Sequence, residues 1–231
     1  MKSLITTLLL AITLSLPAFG DTLEDARVEY TKGNYQNEAN ILKKLSHQGD
    51  FVAQYNLADM YFTGRGLSKD NEEALKWLSK SAGYGFAPSQ AKLGAMYFNG
   101  YGVAKDYKEA VKWFRLAAKQ KNIEAQYNMG MMYIHGYGLS QDSKKAVKWY
   151  LLAAEQGYSP AQFFLAHMYA MGNGTKKNYK SAYMWYDLAA LSGYKEASRF
   201  RSIIKKGMTS SQIAEAQKLS RKCLKNNYKN C

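Results

Sequence analysis

Residues that build catalytic and metal sites are scarce in this sequence of 231 residues. It contains only two cysteines and three histidines, and His47, His135 and His167 lack the spacing of metal ligands. It also lacks a Gly-x-Ser-x-Gly motif and a cysteine beside a plausible histidine partner. Its Gly-x-Gly pairs follow no predicted strand, so they do not indicate a phosphate-binding loop. The sequence therefore predicts a protein that is not an enzyme and that carries no cofactor or metal ion.

Long hydrophobic runs are scarce as well. The one clear run, residues 4–16, lies near the amino terminus. Lys2 precedes it, and small residues follow it at the positions that a signal peptidase reads. The run is short for a membrane span, and no cysteine follows for lipid attachment. We therefore predict that residues 1–20 form a signal peptide cut before Asp21, which makes the mature protein periplasmic or secreted. A buried helix or a membrane anchor is the alternative.

Acidic residues are few, since 18 Asp and Glu face 32 Lys and Arg and give a net charge of +14. The last 37 residues, 195–231, hold ten of the basic residues against Glu196 and Glu215. Such a charge favours acidic partners through electrostatic steering. Export argues against nucleic acid, so we expect an acidic protein partner or peripheral contact with an anionic envelope surface. A solvated basic surface with no specific role is the alternative.

The middle of the chain repeats itself every 36 residues. Glycine pairs, tyrosines, alanines and capping residues all recur at this shift. A fixed period in this range predicts a solenoid whose units stack to bury a common core. The tryptophans show the period clearly: Trp77, Trp113, Trp149 and Trp185.

Each unit is predicted to contain two helices. Apolar and small residues recur at helical spacing over residues 91–98, and Gly100 and Gly102 then end the first helix. Asp106 with Glu109 predicts a capping box at the start of the second helix. Glycine ends the second helix in most units, whereas the second repeat has Lys121 there, and Asn122 is predicted to supply its left-handed residue.

One pattern summarises the unit, A-Q-x-x-L-x-x-M-Y-x-x-G-x-G-x-x-x-D-x-x-x-A-x-x-W-x-x-x-A-A. The third copy carries it at Ala125, Gln126, Met129, Met132, Tyr133, Gly136, Gly138, Asp142, Ala146, Trp149, Ala153 and Ala154. The pattern resembles the Sel-one-like repeat, a relative of the tetratricopeptide repeat. The resemblance implies an all-α fold, a right-handed superhelical α/α solenoid of antiparallel helix pairs. It also implies binding of other proteins, with the first helices lining the concave surface.

The period divides the chain into a leader, an atypical first unit, a repeat array and a basic cap. Terminal units of a solenoid are expected to diverge, because one face meets water. In the cap, Thr209 and Gln212 predict a further capping box. The predicted segments are a signal peptide (1–20), a divergent helix pair (21–50), four repeats (51–86, 87–122, 123–158, 159–194) and capping helices (195–231).

The positions that differ between copies indicate where a partner binds. On the first helix of the third copy, the positions of Gln126 and Met129 stay alike, whereas those of Tyr127 and Asn128 change and lie on another face. A varied surface rich in aromatic residues suits protein binding. The alternative is that several of these residues pack between units. The predicted groove residues are Tyr55, Asn56, Asp59, Phe62, Lys92, Phe98, Tyr127, Asn128, Met131, Ile134, Phe163, Phe164 and His167.

Cys223 and Cys231 are the two cysteines of the chain. In an oxidising compartment two cysteines separated by a short loop usually pair, so we predict a disulfide. Two exposed thiols are the alternative.

The sequence thus favours an exported scaffold that mediates protein–protein interaction through a groove. One alternative is binding of a cell-envelope polymer, peptidoglycan or an acidic glycan, although the tryptophans stand at packing positions. A weaker alternative is an envelope hydrolase, such as a β-lactamase-like enzyme, for which His135 and His167 are the candidate residues.

Overall fold

A computed structural model of the chain describes residues 21–229 and Cys231. These residues form twelve helices and no strand, which confirms the all-α solenoid. The predicted signal peptide lies outside the described residues. None of the described helices is long and apolar enough to cross a membrane. The helices are α1 (Leu23–Thr31), α2 (Tyr35–His47), α3 (Phe51–Thr63), α4 (Asn71–Gly83), α5 (Ala87–Asn99), α6 (Tyr107–Lys119), α7 (Ile123–His135), α8 (Ser143–Ala154), α9 (Ser159–Met171), α10 (Tyr179–Leu191), α11 (Lys195–Lys205) and α12 (Ser210–Lys225).

Helices pack in the order of the chain. Each helix from α1 to α10 lies against the next one, so every unit is an antiparallel pair stacked on its neighbours. Helix α10 also contacts α12, which covers the last repeat. The core consists of three clusters of buried residues that follow one another along the array. Alanines such as Ala74, Ala110 and Ala146 are fully buried on the second helices and allow close approach.

The two glycines of each pair have separate roles. Gly100 has a φ of +78° and ends α5, with its N–H donating to the Met96 carbonyl at 2.8 Å. Gly102 has a φ of +69°, and an added Cβ would lie 2.7 Å from the carbonyl carbon of Asn71, the first residue of α4. The second glycine therefore lets each loop rest on the preceding unit, a role that the sequence did not predict. Gly66, Gly138 and Gly174 meet the preceding unit in the same way.

A second contact between units comes from a buried glutamine near the start of each first helix. The side-chain Nε2 of Gln90 donates to the Ala82 carbonyl at 3.2 Å, on the second helix of the preceding unit. The Gln90 Oε1 in turn accepts from Gln120 Nε2 at 2.9 Å. These bonds tie α5 to α4 and to the end of α6, and they satisfy both ends of the buried Gln90 amide. Gln54, Gln126 and Gln162 donate in the same way.

Capping follows the prediction only in part. Asp106 accepts from the N–H groups of Lys108 and Glu109, as expected for an N-cap. The Glu109 side chain does not complete a box, because it pairs with Lys112, and the Asp106 N–H donates to the Tyr97 carbonyl instead. The predicted box of Thr209 and Gln212 is confirmed, with the Thr209 N–H donating to Gln212 Oε1 at 2.9 Å.

The turn between α6 and α7 corrects another prediction. Lys121 itself adopts the left-handed conformation, with a φ of +65°, where other units place glycine. Asn122 has a φ of −62° and caps α7 by accepting from the Ala125 N–H. Asn122 was wrongly assigned the left-handed position, because its side chain serves the helix as N-cap. Lys121 therefore bears the backbone strain at this turn.

The carboxyl-terminal tail folds back on the array. Cys223, which is buried, and Cys231 form a disulfide with their Cα atoms 5.1 Å apart. The Tyr228 ring lies over Gly157, in the turn between α8 and α9. The disulfide thus closes a short loop that holds Tyr228 against the last repeats.

Candidate partner-binding surface

The predicted groove residues lie on the first helices and differ in how far they are buried. Most of them are half-buried, whereas Phe163 is buried and His167 is exposed. They therefore do not form one uniform lining. Three of them, Tyr55, Lys92 and Asn128, come together around a single open depression.

This central depression lies across three consecutive repeats and has a volume of about 650 Å³. Helices α3, α5 and α7 contribute to it, together with the turn before α7 and the turn after α8. Its walls combine carbonyl and amide groups, two lysines and one carboxylate with small apolar side chains. The lining residues are Tyr55, Pro88, Ala91, Lys92, Ala95, Lys121, Asn122, Ile123, Glu124, Asn128 and Gln156.

Lys92 is the most firmly held side chain of the central depression. It forms an ion pair with Asp59 of the preceding repeat. Its Nζ lies 5.6 Å from the centre of the Tyr55 ring and 5.2 Å from that of Phe62, so both rings attract the cation. With only 21% of the side chain exposed, Lys92 is a fixed donor. Burial, with the nearby Asp59 carboxylate, raises the pKa of Tyr55 above its ordinary value.

Asn56 faces a second depression, at the amino-terminal end. Tyr30, Glu38 and Arg65 line it with Asn56. Glu38 is only 5% exposed and lies 3.4 Å from Arg65, and burial raises the pKa of this carboxyl group although the arginine opposes the shift. The other units carry alanine at this position of the second helix. The ion pair therefore joins the divergent first unit to the first repeat, which carries Arg65.

Several aromatic residues of the predicted groove pack between repeats. The Tyr127 ring lies 5.4 Å from Tyr158 and 5.9 Å from Phe164, measured between ring centres. Burial raises the pKa of Tyr127 to about 12. The Phe98 ring lies 5.3 Å from Tyr107 of its own repeat and 5.8 Å from Tyr137 of the next repeat. These rings join neighbouring units, which is the alternative interpretation for this part of the surface.

Phe163 and His167 are placed differently from the prediction. Phe163 is 9% exposed, because Tyr194 stacks on it at 4.7 Å and Phe200 covers it at 5.3 Å. It was wrongly assigned to an open groove, since the capping helix α11 covers it. The exposed His167 places Nδ1 3.2 Å from the hydroxyl of Tyr186. Ile134 and Met131 are half-buried near the end of α7.

Comparison with known proteins identifies the repeat. The Sel1 repeat family model matches residues 52–83, 87–122, 123–158 and 159–194. The chain belongs to the Sel1 repeat family. Sel1 repeat proteins generally mediate protein–protein interaction, and this fold is typically a non-catalytic scaffold.

Solved structures share the solenoid. The chain is 31% identical to a protective antigen present in uropathogenic Escherichia coli strains, which displays an SLR fold, over 88% of this chain with a TM-score of 0.78. It spans 47% of that antigen, about half of its length. A Sel1 repeat protein from Oxalobacter formigenes is 32% identical over 87% of this chain and 84% of its own, with a TM-score of 0.76.

Similarities at lower identity, or over a short part of the chain, support fewer conclusions. An immunity protein from Pseudomonas aeruginosa is 23% identical over 88% of this chain and 80% of its own, with a TM-score of 0.51, which shows the fold alone. A sel1-like repeat-containing protein of Acanthamoeba polyphaga mimivirus is 44% identical over 41 residues, which are 18% of this chain and 7% of the viral protein.

The histidines and tryptophans of this Sel1 repeat chain serve packing and local hydrogen bonds. His47 Nδ1 lies 2.7 Å from the Lys43 carbonyl, and the His135 ring stacks on Tyr137 at 5.2 Å. Among the residues that the structure describes, no cluster of three or more His, Cys, Asp and Glu could hold a metal ion. Trp77 and Trp185 are buried on the second helices, whereas Trp113 and Trp149 are half-buried there.

Sequence comparison between repeats missed part of the central depression. Lys121, Glu124 and Gln156 line it, yet they lie in turns or at helix ends outside the varying stripe. Lys121 did carry a signal, since it replaces the glycine of the other turns. Gln156 belongs to the third repeat and Lys121 to the second, so stacking of the units brings these two residues to the same place.

Proposed function

We propose that this Sel1 repeat chain is an exported scaffold that binds an extended segment of another protein in the central depression. The observation that carries the proposal is the convergence of Tyr55, Lys92 and Asn128 from three successive first helices on one open surface. Each of these three repeats supplies one side chain to the depression. A surface built in this way suits a ligand that runs along the array, as an extended peptide does.

The chemistry of the lining matches a polypeptide main chain. Asn122, Asn128 and Gln156 carry amide groups that both donate and accept hydrogen bonds, as peptide groups do. Tyr55 offers a large, half-buried ring of the kind that anchors protein interfaces. Amides give affinity for any extended segment, and the ring selects an apolar side chain within it.

The charges of the central depression are nearly balanced. Lys92 is paired with Asp59, and the lining also contains one further cation, Lys121, and one carboxylate, Glu124. A partner segment with few charges therefore fits this surface with little desolvation cost. The wider excess of positive charge acts at longer range, where it favours encounter with an acidic partner.

The signal-like sequence of residues 1–20 supports export of the scaffold to the periplasm or beyond. Measuring the mass of the protein recovered from the host would test it, because we expect a mature chain that begins at Asp21.

Site-directed photo-crosslinking tests the depression itself. A photoreactive phenylalanine analogue replaces Tyr55 in one protein and Tyr84, which is 66% exposed on the far end of α4, in the control. We expect Tyr55 to capture one protein in the native host and Tyr84 to leave it uncaptured. Mass spectrometry then identifies the partner and the segment that was crosslinked.

Affinity for the purified partner completes the test. Asn128→Ala removes an amide, and Lys121→Gly removes a side chain while relieving the left-handed strain. Each should weaken binding by about 5- to 30-fold, as loss of a hydrogen bond with about 1–2 kcal/mol does. Leu116→Ala on the exposed side of α6 is the matched control. Equal affinity for all of these proteins would contradict binding in the central depression.

A further inference from the structure

The last helix, α12, has two faces of opposite character. Ala216, Ser220 and Cys223 are buried on one face, against the end of the array. The other side carries four cations at helical spacing of three, four and seven residues. This basic stripe consists of Lys218, Arg221, Lys222 and Lys225, all of them exposed.

The basic stripe borders a groove between α10 and α12 with a volume of about 680 Å³. Leu219, which is 36% exposed, lies within the groove, and Lys180 of α10 stands across from the stripe. The groove shares no residue with the central depression. We call it the carboxyl-terminal groove. Its lining is Lys180, Glu215, Lys218, Leu219, Arg221, Lys222 and Lys225.

The carboxyl-terminal groove contains one ion pair and an excess of cations. Glu215 accepts from Lys180 Nζ at 2.9 Å, which joins the two walls. In the described part of the chain, no carboxylate lies within 4.0 Å of any cation of the basic stripe. The carboxylate of Glu215 therefore neutralises Lys180 within the groove. Among the described residues, the four cations of the basic stripe have no carboxylate partner.

Local helix stability does not account for the whole stripe. Cations in the last turn interact favourably with the helix dipole, which explains Lys222 and Lys225. Lys218 and Arg221 lie further from the carboxyl end, where like charges three and four residues apart repel. An external anion would remove this repulsion.

We propose that the carboxyl-terminal groove binds an acidic peptide segment of a partner protein, in which aspartate or glutamate residues flank an apolar side chain. The carboxylates pair with the basic stripe, as Glu215 pairs with Lys180. The apolar side chain rests on Leu219. Charge complementarity selects this occupant, and the apolar contact distinguishes it from a simple polyanion.

A membrane surface fits these observations less well. Amphipathic helices that lie in a bilayer insert their apolar face. The apolar face of α12 is already packed against α10, and Ala216 and Cys223 are buried there. The exposed leucine also lies between charged walls, where a flat surface of headgroups makes little contact with it.

The test measures binding of the whole mature chain to a synthetic acidic peptide in which a central leucine is flanked by glutamates. Fluorescence anisotropy of the labelled peptide gives the affinity. A variant with Lys218, Arg221, Lys222 and Lys225 each changed to Gln removes the basic stripe. The control removes the same charge from exposed lysines of α6 and α8. It changes Lys108, Lys119, Lys144 and Lys148 to Gln.

We expect the stripe variant to bind the peptide about 10- to 100-fold more weakly, as loss of several exposed ion pairs predicts. The control should keep its affinity to within about threefold. Changing the central leucine of the peptide to serine should also weaken binding, because the contact with Leu219 is lost. Far-ultraviolet circular dichroism serves as the folding control, and we expect both variants to keep their helices.

Three results would overturn the proposal. Equal losses in the stripe variant and in the control would show that net charge alone attracts the peptide. Equal binding of a peptide with glutamine in place of glutamate would show that carboxylates are not recognised. Binding of the chain to phosphatidylglycerol vesicles, with no binding of the peptide, would assign the basic stripe to an anionic membrane surface.

Discussion

Substituting alanine for the second glycine of a loop should uncouple neighbouring repeats. In Gly102→Ala the new Cβ would lie 2.7 Å from the carbonyl carbon of Asn71 and 2.9 Å from its Cβ. Asn71 begins α4 in the preceding unit, so its backbone cannot move without shifting that helix. The loop must therefore lift away from the unit on which it rests.

Two costs combine in this variant. An L-residue in the left-handed conformation costs about 1–2 kcal/mol, because the φ of Gly102 is +69°. Overpacking against a neighbouring element adds about 1–3 kcal/mol. We therefore expect Gly102→Ala to lower the free energy of unfolding by about 2–5 kcal/mol.

Gly100→Ala is the matched control, since Gly100 has a φ of +78° in the same loop. There the new Cβ would approach the Lys105 Cβ and the Val103 carbonyl oxygen at 3.5 Å, which is ordinary contact. Only the backbone cost of about 1–2 kcal/mol should remain. The difference between the two variants measures the contact between units.

Urea unfolding followed by far-ultraviolet circular dichroism measures both changes. Gly102→Ala should also broaden the transition and lower its m value, because a solenoid with a weakened interface unfolds in parts. Equal loss of stability in the two variants would refute the reasoning. It would mean that the loop and the preceding helix adjust to the extra methyl group without cost.

Three other perturbations follow from the contacts above. Tyr84→Gln should raise the free energy of unfolding by about 0.5–1.5 kcal/mol in urea titrations. Tyr84 stands at the repeat position of Gln120, which donates to Gln90, so the new amide can donate to Gln54 Oε1, which is buried without a partner. Reducing the disulfide of Cys223 and Cys231 should cost about 2–3 kcal/mol, by the same titration, since it frees a loop closed over eight positions. Tyr127 has a raised pKa of about 12 in the folded chain, so its contribution to stability is complete below pH of about 10 and is lost towards pH 12. Absorbance titration of the phenolate should show that Tyr127→Phe removes one late-titrating group.

Features set by a few neighbouring residues could be predicted from the sequence. Gly100 ends α5 because glycine alone enters the left-handed region freely, and Asp106 caps α6 because its carboxylate reaches the first N–H groups. The 36-residue period then predicts that the units stack on one another. These features repeat in every copy, so each copy supports the interpretation of the others.

Features that depend on contacts across units could not be predicted in this way. The burial of Phe163 depends on Tyr194 and Phe200, which belong to the turn before α11 and to α11 itself. The central depression depends on Lys121 and Gln156, which stacking brings together from different units. A comparison of copies shows which positions vary, and it contains no information about what covers them.

The contacts that hold the units together also determine where a ligand can be recognised. The buried Gln90 bonds to both neighbouring second helices, and Gly102 rests on Asn71. Gly94 faces Phe114 so closely that an added Cβ would lie 2.8 Å from its ring. None of these positions can change its size without disturbing a neighbouring helix.

Some outward residues of the first helices, such as Asn128, together with the exposed side chain of Lys121 and the exposed face of α12, do not carry such packing contacts. They can therefore differ from copy to copy while the solenoid stays the same. The amide-rich central depression and the basic stripe are the two places where this chain uses that freedom to gather unlike side chains on one surface. Recognition of a partner segment should accordingly respond to changes in these residues and not to changes in the alanines and glycines between them, which should alter stability instead.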